Sequence, residues 1–264
     1  MDTTTEASNE TNTRPAFRGV WQVLRFNAYR YVGAIALVAL AVATMWILPL
    51  PVIARLAIAI LTGLVVFWSA AALVVSHVVY DRSRLMRWGW LAEFLPIDAR
   101  PPRWVNIHSG FDDTSKSLRR VFAAPPLQVI DIFDSRIMTE RSLAAARKET
   151  DRDGRTVRAT SSKISLPDAS VDVACLLLAA HEIRDRSTRE QLFGELQRIL
   201  RGGGRVLLVE HLRDVWNFAA FGPGAFHFYS LREWLRVAKR AGLALAHISR
   251  ITPFVAVVVL EKSQ

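Results

Sequence analysis

Two pairs of ionisable residues each stand at the end of an apolar run that is typical of a buried strand. His181 and Glu182 follow residues 171–178, and Glu210 and His211 close the next apolar run along the chain. Imidazole and carboxylate groups are the side chains that most often exchange protons in catalysis. His181, Glu182 and His211 are therefore candidate general bases. The alternative is that these side chains shape a pocket or face solvent in a loop.

The elements that must position these residues alternate between strand and helix patterns. Strands are predicted at residues 104–108, 127–132, 156–160, 171–178, 205–210, 243–249 and 254–260. Helices are predicted at residues 114–122 and 139–148. A third helix is predicted to begin at a capping box of Ser187 with Glu190 and to end at the glycines 202–204, and a fourth begins at a box of Ser230 with Glu233. Repeated strand–helix units predict an α/β fold with a doubly wound, mostly parallel sheet. In such sheets, ligands bind at the carboxyl ends of the strands.

Two stretches of the chain resemble a known family. Residues 166–173 read LPDASVDV and are followed by His181-Glu182-Ile183, and residues 198–208 read RILRGGGRVLL. Both resemble signature segments of the class I S-adenosylmethionine-dependent methyltransferases, over roughly residues 104–260. The resemblance implies a Rossmann-like methyltransferase fold, S-adenosylmethionine as cofactor, and methyl transfer as the reaction.

The resemblance also implies that the loop after the first strand contacts the cofactor. The candidate contacts in that loop are Asn106, His108, Gly110 and Asp112. Gly110 allows the backbone to approach the ligand closely, and a carboxylate suits the positively charged aminoacyl end of this cofactor. The alternative for Asp112 and Asp113 is that they cap the helix that begins near Thr114.

The acidic residues after the second strand are implied to bind the ribose hydroxyls. Asp131 is the first choice and Asp134 the second, because spacing alone leaves the register open. A strand-end or capping role is the alternative. Thr160 and Ser161 stand where the family often has an acid that meets the adenine amino group.

An aromatic segment between the fifth strand and the last helix suggests the acceptor. Its members are Trp216, Phe218, Phe221, Phe226, Phe228 and Tyr229, around Gly222-Pro223-Gly224. In the family this region commonly covers the acceptor, and aromatic side chains suit an apolar acceptor such as a lipid or a quinone-like ring. The alternatives are core packing or a patch on the membrane. His227 is a candidate acceptor contact.

Two apolar runs, residues 31–50 and 56–80, are each long enough to cross a bilayer. Arginines flank the hairpin at positions 14, 18, 25, 30, 82, 84 and 87, whereas the turn offers only Arg55. By the positive-inside rule, both termini face the cytoplasm, which predicts a multi-pass protein of the inner membrane. A buried hairpin in a soluble protein is the rival, although neither run has the polar stripe of a core helix.

The domain boundaries follow from these runs. Residues 1–30 are predicted as a basic, disordered cytoplasmic N-terminus, with residues 1–13 the most polar, and residues 31–80 as a transmembrane hairpin. Residues 81–103 are predicted as a juxtamembrane linker, and residues 104–264 as a methyltransferase-like domain.

The charge and composition of the chain restrict which binding partners are expected. The net charge is +10, from 34 basic and 24 acidic residues, and a basic body is attracted to anionic lipid. Nucleic acid is not expected, because no basic-aromatic array or helix-turn-helix pattern is present. The single cysteine, Cys175, excludes an internal disulfide. No metal site is predicted, since a packed imidazole is the simpler role for His77, and the pattern carries no prediction of oligomeric state.

The predicted function is membrane-anchored methyl transfer from S-adenosylmethionine to a small, lipidic or apolar acceptor. The alternative is a catalytically silent, methyltransferase-like binding or scaffold module at the membrane, because the family loop usually has two or three glycines and Gly110 alone remains here. The pattern does not favour a nicotinamide dehydrogenase, since one glycine cannot form the pyrophosphate turn and no Tyr-x-x-x-Lys pair is present.

Overall fold

A computed structural model of the chain describes residues 15–96, 101–149 and 156–263. The prediction of disorder for residues 1–13 lies outside the described residues. Everything below concerns the described ranges.

The described residues form a seven-stranded sheet with the strand order β3-β2-β1-β4-β5-β7-β6. The strands are β1 Trp104–His108, β2 Gln128–Asp131, β3 Thr156–Arg158, β4 Val171–Leu177, β5 Leu200–His211, β6 Leu243–Thr252 and β7 Val255–Lys262. Neighbours among β1 to β5 run parallel, whereas β7 runs antiparallel to both β5 and β6. The predicted doubly wound, mostly parallel α/β sheet is therefore confirmed.

Helices cover the sheet on both faces. They are α4 Ser115–Val121, α5 Arg141–Arg147, α6 Arg186–Ile199, α7 Val215–Phe221 and α8 Leu231–Arg240. One core cluster packs α6 and α8 against the sheet, with Phe193 and Trp234 stacked at its centre. Every residue of β4 is buried, as expected for a central parallel strand that is covered on both sides.

The start of α6 differs from the predicted capping box. Asp185 is the N-cap, and its carboxylate accepts a hydrogen bond from Thr188 N at 2.7 Å. The Ser187 hydroxyl donates to the same carboxylate at 2.5 Å instead of capping the helix itself. At α8 the predicted N-cap is confirmed, because the Ser230 hydroxyl accepts from Glu233 N, whereas the Glu233 carboxylate pairs with Arg186 and Arg189 instead of completing the box.

The three glycines at residues 202–204 lie inside β5 and do not form a separate turn. The register between β4 and β5 shifts at Val171/Val173, so the strand bulges there. Gly203 adopts φ 70°, and a Cβ on Gly204 would lie 3.1 Å from Val171 O. The glycines therefore permit the bulge and the close strand approach beside it.

Residues 81–103, predicted as a linker, contribute to the other face of the sheet. Two short 3-10 helices, Leu85–Arg87 and Gly89–Phe94, occur here. Leu85, Trp88 and Leu91 are at most 1% exposed and belong to the second core cluster, together with Trp104 of β1. These tryptophan and leucine side chains pack on the sheet, so the described part of this segment contributes to the core.

Three helices precede the sheet: α1 Arg18–Phe26, α2 Ala28–Ile47 and α3 Val52–Ser76, with a π-helical turn His77–Arg82 after α3. Among the described residues, α2 and the largely helical stretch from Val52 to Arg87 are long and apolar enough to cross a membrane, with mean hydropathies of 1.8 and 2.5. None of their most apolar 18-residue windows is buried inside the protein.

Helix α1 lies within the stretch predicted as disordered. It forms because its first backbone groups find a partner: Asp81 of the π-helical turn accepts hydrogen bonds from Gly19 N at 2.6 Å and Val20 N at 3.1 Å. A carboxylate at a helix N-terminus satisfies unpaired N–H groups and favours the helix dipole.

Candidate active site

A cavity of about 550 Å³ lies at the carboxyl ends of β1, β4 and β5. On the sheet side it is lined by Ser109, Ala179 and His181. On the opposite side it is lined by Tyr31 of α2 and Trp68 of α3, among others. The sheet therefore supplies one wall and the apolar helices supply the other.

His181 lies on the 3-10 turn Ala180–Glu182 that follows β4. Its Nδ1 lies 2.6 Å from Glu210 Oε2. Glu210 is fully buried and also accepts from Ala180 N at 2.7 Å. Burial lowers the pKa of His181, but the carboxylates of Glu210 and Glu182 outweigh burial and raise it to about 10. In this arrangement the imidazole is positively charged at neutral pH, with a proton on each ring nitrogen.

Glu182 faces two histidines. Its Oε1 lies 3.4 Å from His181 Nε2 and 3.7 Å from His227 Nε2. Burial raises the pKa of Glu182, yet the hydrogen bonds of the two histidines lower it further than burial raises it. The other oxygen, Oε2, is buried and has no hydrogen-bond partner among the described residues.

His227 ends the 3-10 segment Gly222–His227 and is brought to His181 by the fold. The two ring centroids are 5.2 Å apart. Arg184 holds the segment in place, because its Nη1 donates to His227 O at 2.6 Å while its Nη2 contacts the imidazole ring. Glu140 lies 3.6 Å from His227 Nδ1.

His211 uses both ring nitrogens within the protein. Nδ1 faces Phe254 O at 3.0 Å and Asn217 Oδ1 at 3.2 Å, and Nε2 lies 2.8 Å from the Tyr80 hydroxyl. Carbonyl oxygens accept, so Nδ1 carries the proton and Nε2 accepts from Tyr80. Burial, with the positive charge of His181 second, lowers the pKa of His211 to about 4. His211 is thus a neutral link between β5 and the turn after α3.

The loop after β1 is held largely by its own hydrogen bonds. Asp112 Oδ1 accepts from Thr114 N at 3.0 Å and Ser115 N at 2.9 Å, which is the capping arrangement. Asn106 Nδ2 donates to the hydroxyls of Thr114 and Ser115. Within the described ranges, Asn106 Oδ1 and the buried His108 Nε2 have no hydrogen-bond partner.

Asp131 and Asp134 occupy different environments. Asp131 ends β2, is 8% exposed, and accepts from Phe133 N at 3.0 Å and from Arg147 Nη1 at 3.0 Å. Asp134 pairs with exposed Arg136 at 2.6 Å. Burial at a strand end makes Asp131 the better placed of the two for a ligand inside the fold.

Thr160 and Ser161 lie in the turn after β3. Thr160 forms an isolated bridge with Lys163, and its hydroxyl lies 3.2 Å from Ser162 Oγ. Ser161 is buried.

Arg147 of α5 occupies the space between Gly110 and Asp131. Gly110 has φ 92°, and a Cβ there would lie 2.9 Å from Cγ and Cδ of Arg147. The guanidinium also covers the Phe133 ring at 3.9 Å. Sequence reasoning missed this residue, since an arginine on a short helix carries no spacing signal.

Comparison with known proteins agrees with the fold. Residues 123–208, about a third of the chain, match the family model described as "Methyltransferase domain". The match begins after the loop that holds Gly110. No curated protein matches the chain.

Several solved structures are distantly similar. An S-adenosylmethionine-dependent methyltransferase from Aquifex aeolicus shares 18% identity at a TM-score of 0.48, over 68% of this chain and 93% of its own. A second such protein, from Methanosarcina mazei, shares 16% identity at a TM-score of 0.46, over 62% of this chain and 93% of its own. A third, from Mesorhizobium loti, shares 19% identity at a TM-score of 0.44, over 67% of this chain and 98% of its own. All three are too distant to indicate a substrate.

The methyltransferase-domain match implies S-adenosylmethionine as the cofactor. The residues present fit this cofactor in kind: a buried carboxylate ends β2, a glycine at positive φ follows β1, and the buried Asn106 Oδ1 and His108 Nε2 lack partners in the described part of the chain. Arg147 must leave its position against Gly110 for a nucleoside to lie between that loop and Asp131.

Proposed function

We propose that this chain is a methyltransferase anchored in the inner membrane, with its α/β domain in the cytoplasm, and that it methylates an apolar or lipidic acceptor. The observation that carries the proposal is the cavity of about 550 Å³, which lies between the carboxyl ends of the strands and the apolar helices α2 and α3. In open α/β sheets this edge is where ligands bind.

The exposed aromatic residues beside α3 support an acceptor that comes from the lipid. Trp216, Phe218 and Phe226 are 55%, 44% and 64% exposed, and the rings of Phe218 and Trp68 meet edge to face with centroids 6.1 Å apart. Aromatic side chains next to an apolar helix are typical of a surface at the membrane interface. An apolar molecule entering along α3 would reach the cavity without crossing water.

The polar end of the cavity would orient the reacting group. The cofactor, once bound, supplies an activated methyl group, and the transfer depends mainly on alignment. Asp131 would hold the ribose and Gly110 the aminoacyl end. His181, held by Glu210, would donate a hydrogen bond to a polar group of the acceptor, while His211 and Tyr80 brace the wall behind it.

A catalytically silent module remains the second candidate function, and one observation favours it. Arg147 satisfies Asp131 and lies against Gly110, so the protein fills its own nucleoside position. A chain that never released Arg147 would keep the fold and lose the chemistry.

Calorimetry on the full chain in lipid nanodiscs, with S-adenosylhomocysteine as ligand, separates the two. The proposal predicts saturable binding that Asp131→Asn weakens at least tenfold, because a charge-assisted pair of hydrogen bonds is lost. Asp134→Asn is the matched control and should bind as the parent does. No binding by the parent chain would favour the silent module, and equal weakening by both variants would show that the ribose assignment is wrong.

A further inference from the structure

Three side chains that come from two separate segments direct ligand atoms at one point in the cavity wall. His181, Glu182 and His227 each offer an atom, and all these atoms lie within 4.8 Å of one another. The two distances to Glu182 Oε1 are 3.4 Å from His181 Nε2 and 3.7 Å from His227 Nε2. Ligands about 2.0–2.2 Å from a tetrahedral metal ion are separated by similar distances.

The second carboxylate of the cluster stands where it would orient a metal-bound histidine. Glu210 Oε2 lies 2.6 Å from Nδ1 of His181, which leaves Nε2 directed at Glu182. Histidines that bind metal usually donate their other N–H to a carboxylate, which fixes the tautomer and makes the ring a better ligand. Glu210 is itself fixed by Ala180 N and is fully buried.

The cluster contains an unsatisfied group. Glu182 is 9% exposed, and its Oε2 has no hydrogen-bond partner among the residues described. A buried carboxylate oxygen without a partner costs free energy, and a cation bound by both oxygens of Glu182 would remove that cost. Arg184 is the opposing charge, but its side chain is 34% exposed and only its tip contacts the ring of His227. Arg184 Nη2 also lies 2.8 Å from His227 Nε2, so the guanidinium must turn toward solvent when the ion binds, and its exposure permits that movement.

We propose that His181 Nε2, Glu182 and His227 bind one divalent transition-metal ion, with Glu210 positioning His181. Two imidazoles and one carboxylate are the ligand set of zinc sites that keep an open position, and they also suit cobalt as a substitute. Binding of the ion does not depend on methyl transfer. The ion would displace the proton that His181 Nε2 carries in its absence. Where the proposed function also holds, the open position faces the acceptor cavity, and the ion would replace that N–H as the group that binds and polarises the acceptor oxygen.

No local sequence pattern indicates this site, because His227 is separated from Glu182 by an entire helix, a strand and the aromatic segment. A metal site is not predicted from the sequence because these residues lie far apart along the chain. The fold closes the distance at the carboxyl ends of β4 and β5.

Metal content and metal titration of the full chain, in detergent and with any affinity tag removed, test the proposal. After dialysis against Zn²⁺ and then metal-free buffer, mass spectrometry should find about one zinc per chain. Co²⁺ in place of zinc should give visible absorption bands of a nitrogen–oxygen site. Expected losses of Co²⁺ affinity are at least 100-fold for Glu182→Gln and His227→Ala, and about 10-fold to 100-fold for the positioning variant Glu210→Gln.

His247→Ala is the matched control, because this histidine is exposed on β6, away from the cavity. It should bind zinc and cobalt as the parent chain does. Glu182→Gln preserves side-chain volume, so its far-ultraviolet circular dichroism verifies folding. A parent chain that retains no zinc, or a Glu182→Gln protein that binds cobalt unchanged, would overturn the proposal. S-adenosylhomocysteine binding by the same samples separates failure of the metal site from failure of the methyltransferase proposal.

Discussion

Replacing Arg147 with alanine should lower the stability of the protein and strengthen its binding of S-adenosylhomocysteine. Arg147 Nη1 and Asp131 Oδ2 are 3.0 Å apart, and the two side chains are 21% and 11% exposed. A hydrogen bond between charged groups of this kind contributes about 1.5–3 kcal/mol. Among the described residues, the variant leaves Asp131 with the Phe133 N–H as hydrogen-bond donor and with His108 Nδ1 3.9 Å away, so the free energy of unfolding should fall by about 1–2 kcal/mol.

The binding effect has the opposite sign, which makes the experiment informative. A nucleoside that binds Asp131 must first break the pair with Arg147, and alanine removes that cost. Since 1.4 kcal/mol corresponds to a factor of ten, the affinity should rise about tenfold. Calorimetry in nanodiscs measures the affinity, and thermal unfolding measures stability with and without ligand.

Arg136→Ala is the control, because Arg136 pairs with Asp134 at an exposed position and does not reach Gly110. It should leave the affinity unchanged. Weaker binding by Arg147→Ala would refute the reasoning, since it would mean that Arg147 contacts the ligand rather than blocking it.

Three further predictions concern the helix caps, the contact between α7 and α3, and pH. Asp185→Ala should lower the unfolding temperature more than Ser187→Ala does, because Asp185 caps α6. Gly222→Ala should lower it by several degrees, because a Cβ there would lie within 2.6 Å of Trp68 and φ is 53°; Gly224→Ala, with no atom closer than 3.7 Å, should not. Acidification from pH 6.5 to 4 should reduce the free energy of unfolding. The pKa of His211 is about 4 in the folded protein and 6.5 in the unfolded chain, so over this range only the unfolded chain binds the extra proton. The His211→Gln variant, unfolded as a function of pH, should lack that part of the loss.

Strands β1 and β4 could be predicted because each is a short, mainly apolar run. The run 171–178 became β4 Val171–Leu177, and residues 104–108 became β1 with the same bounds. The cap of α6 could not be predicted in the same way. Asp185 and Ser187 both have capping side chains, and only the direction in which the chain leaves the 3-10 turn decides which of them reaches an N–H.

The site was predictable one strand end at a time but not as an assembly. Asp131 and His181 remain predictions as site residues; their place at one edge of the sheet could be predicted because each ends or follows an apolar run. Arg147, Tyr80 and His227 reach the same edge from two helical segments and a loop, through contacts that no local pattern encodes. Their roles depend on how the helices pack across the top of the sheet.

The shared walls of the cavity have a consequence for how this protein can be divided. Tyr31, Trp68 and Tyr80 belong to the first third of the chain, yet they complete a chamber whose floor is built by the last two thirds. Helices α2 and α3 are therefore part of the cavity wall. A chimaera that replaced them with an unrelated pair of helices would leave the cavity of the α/β domain open to water on one side.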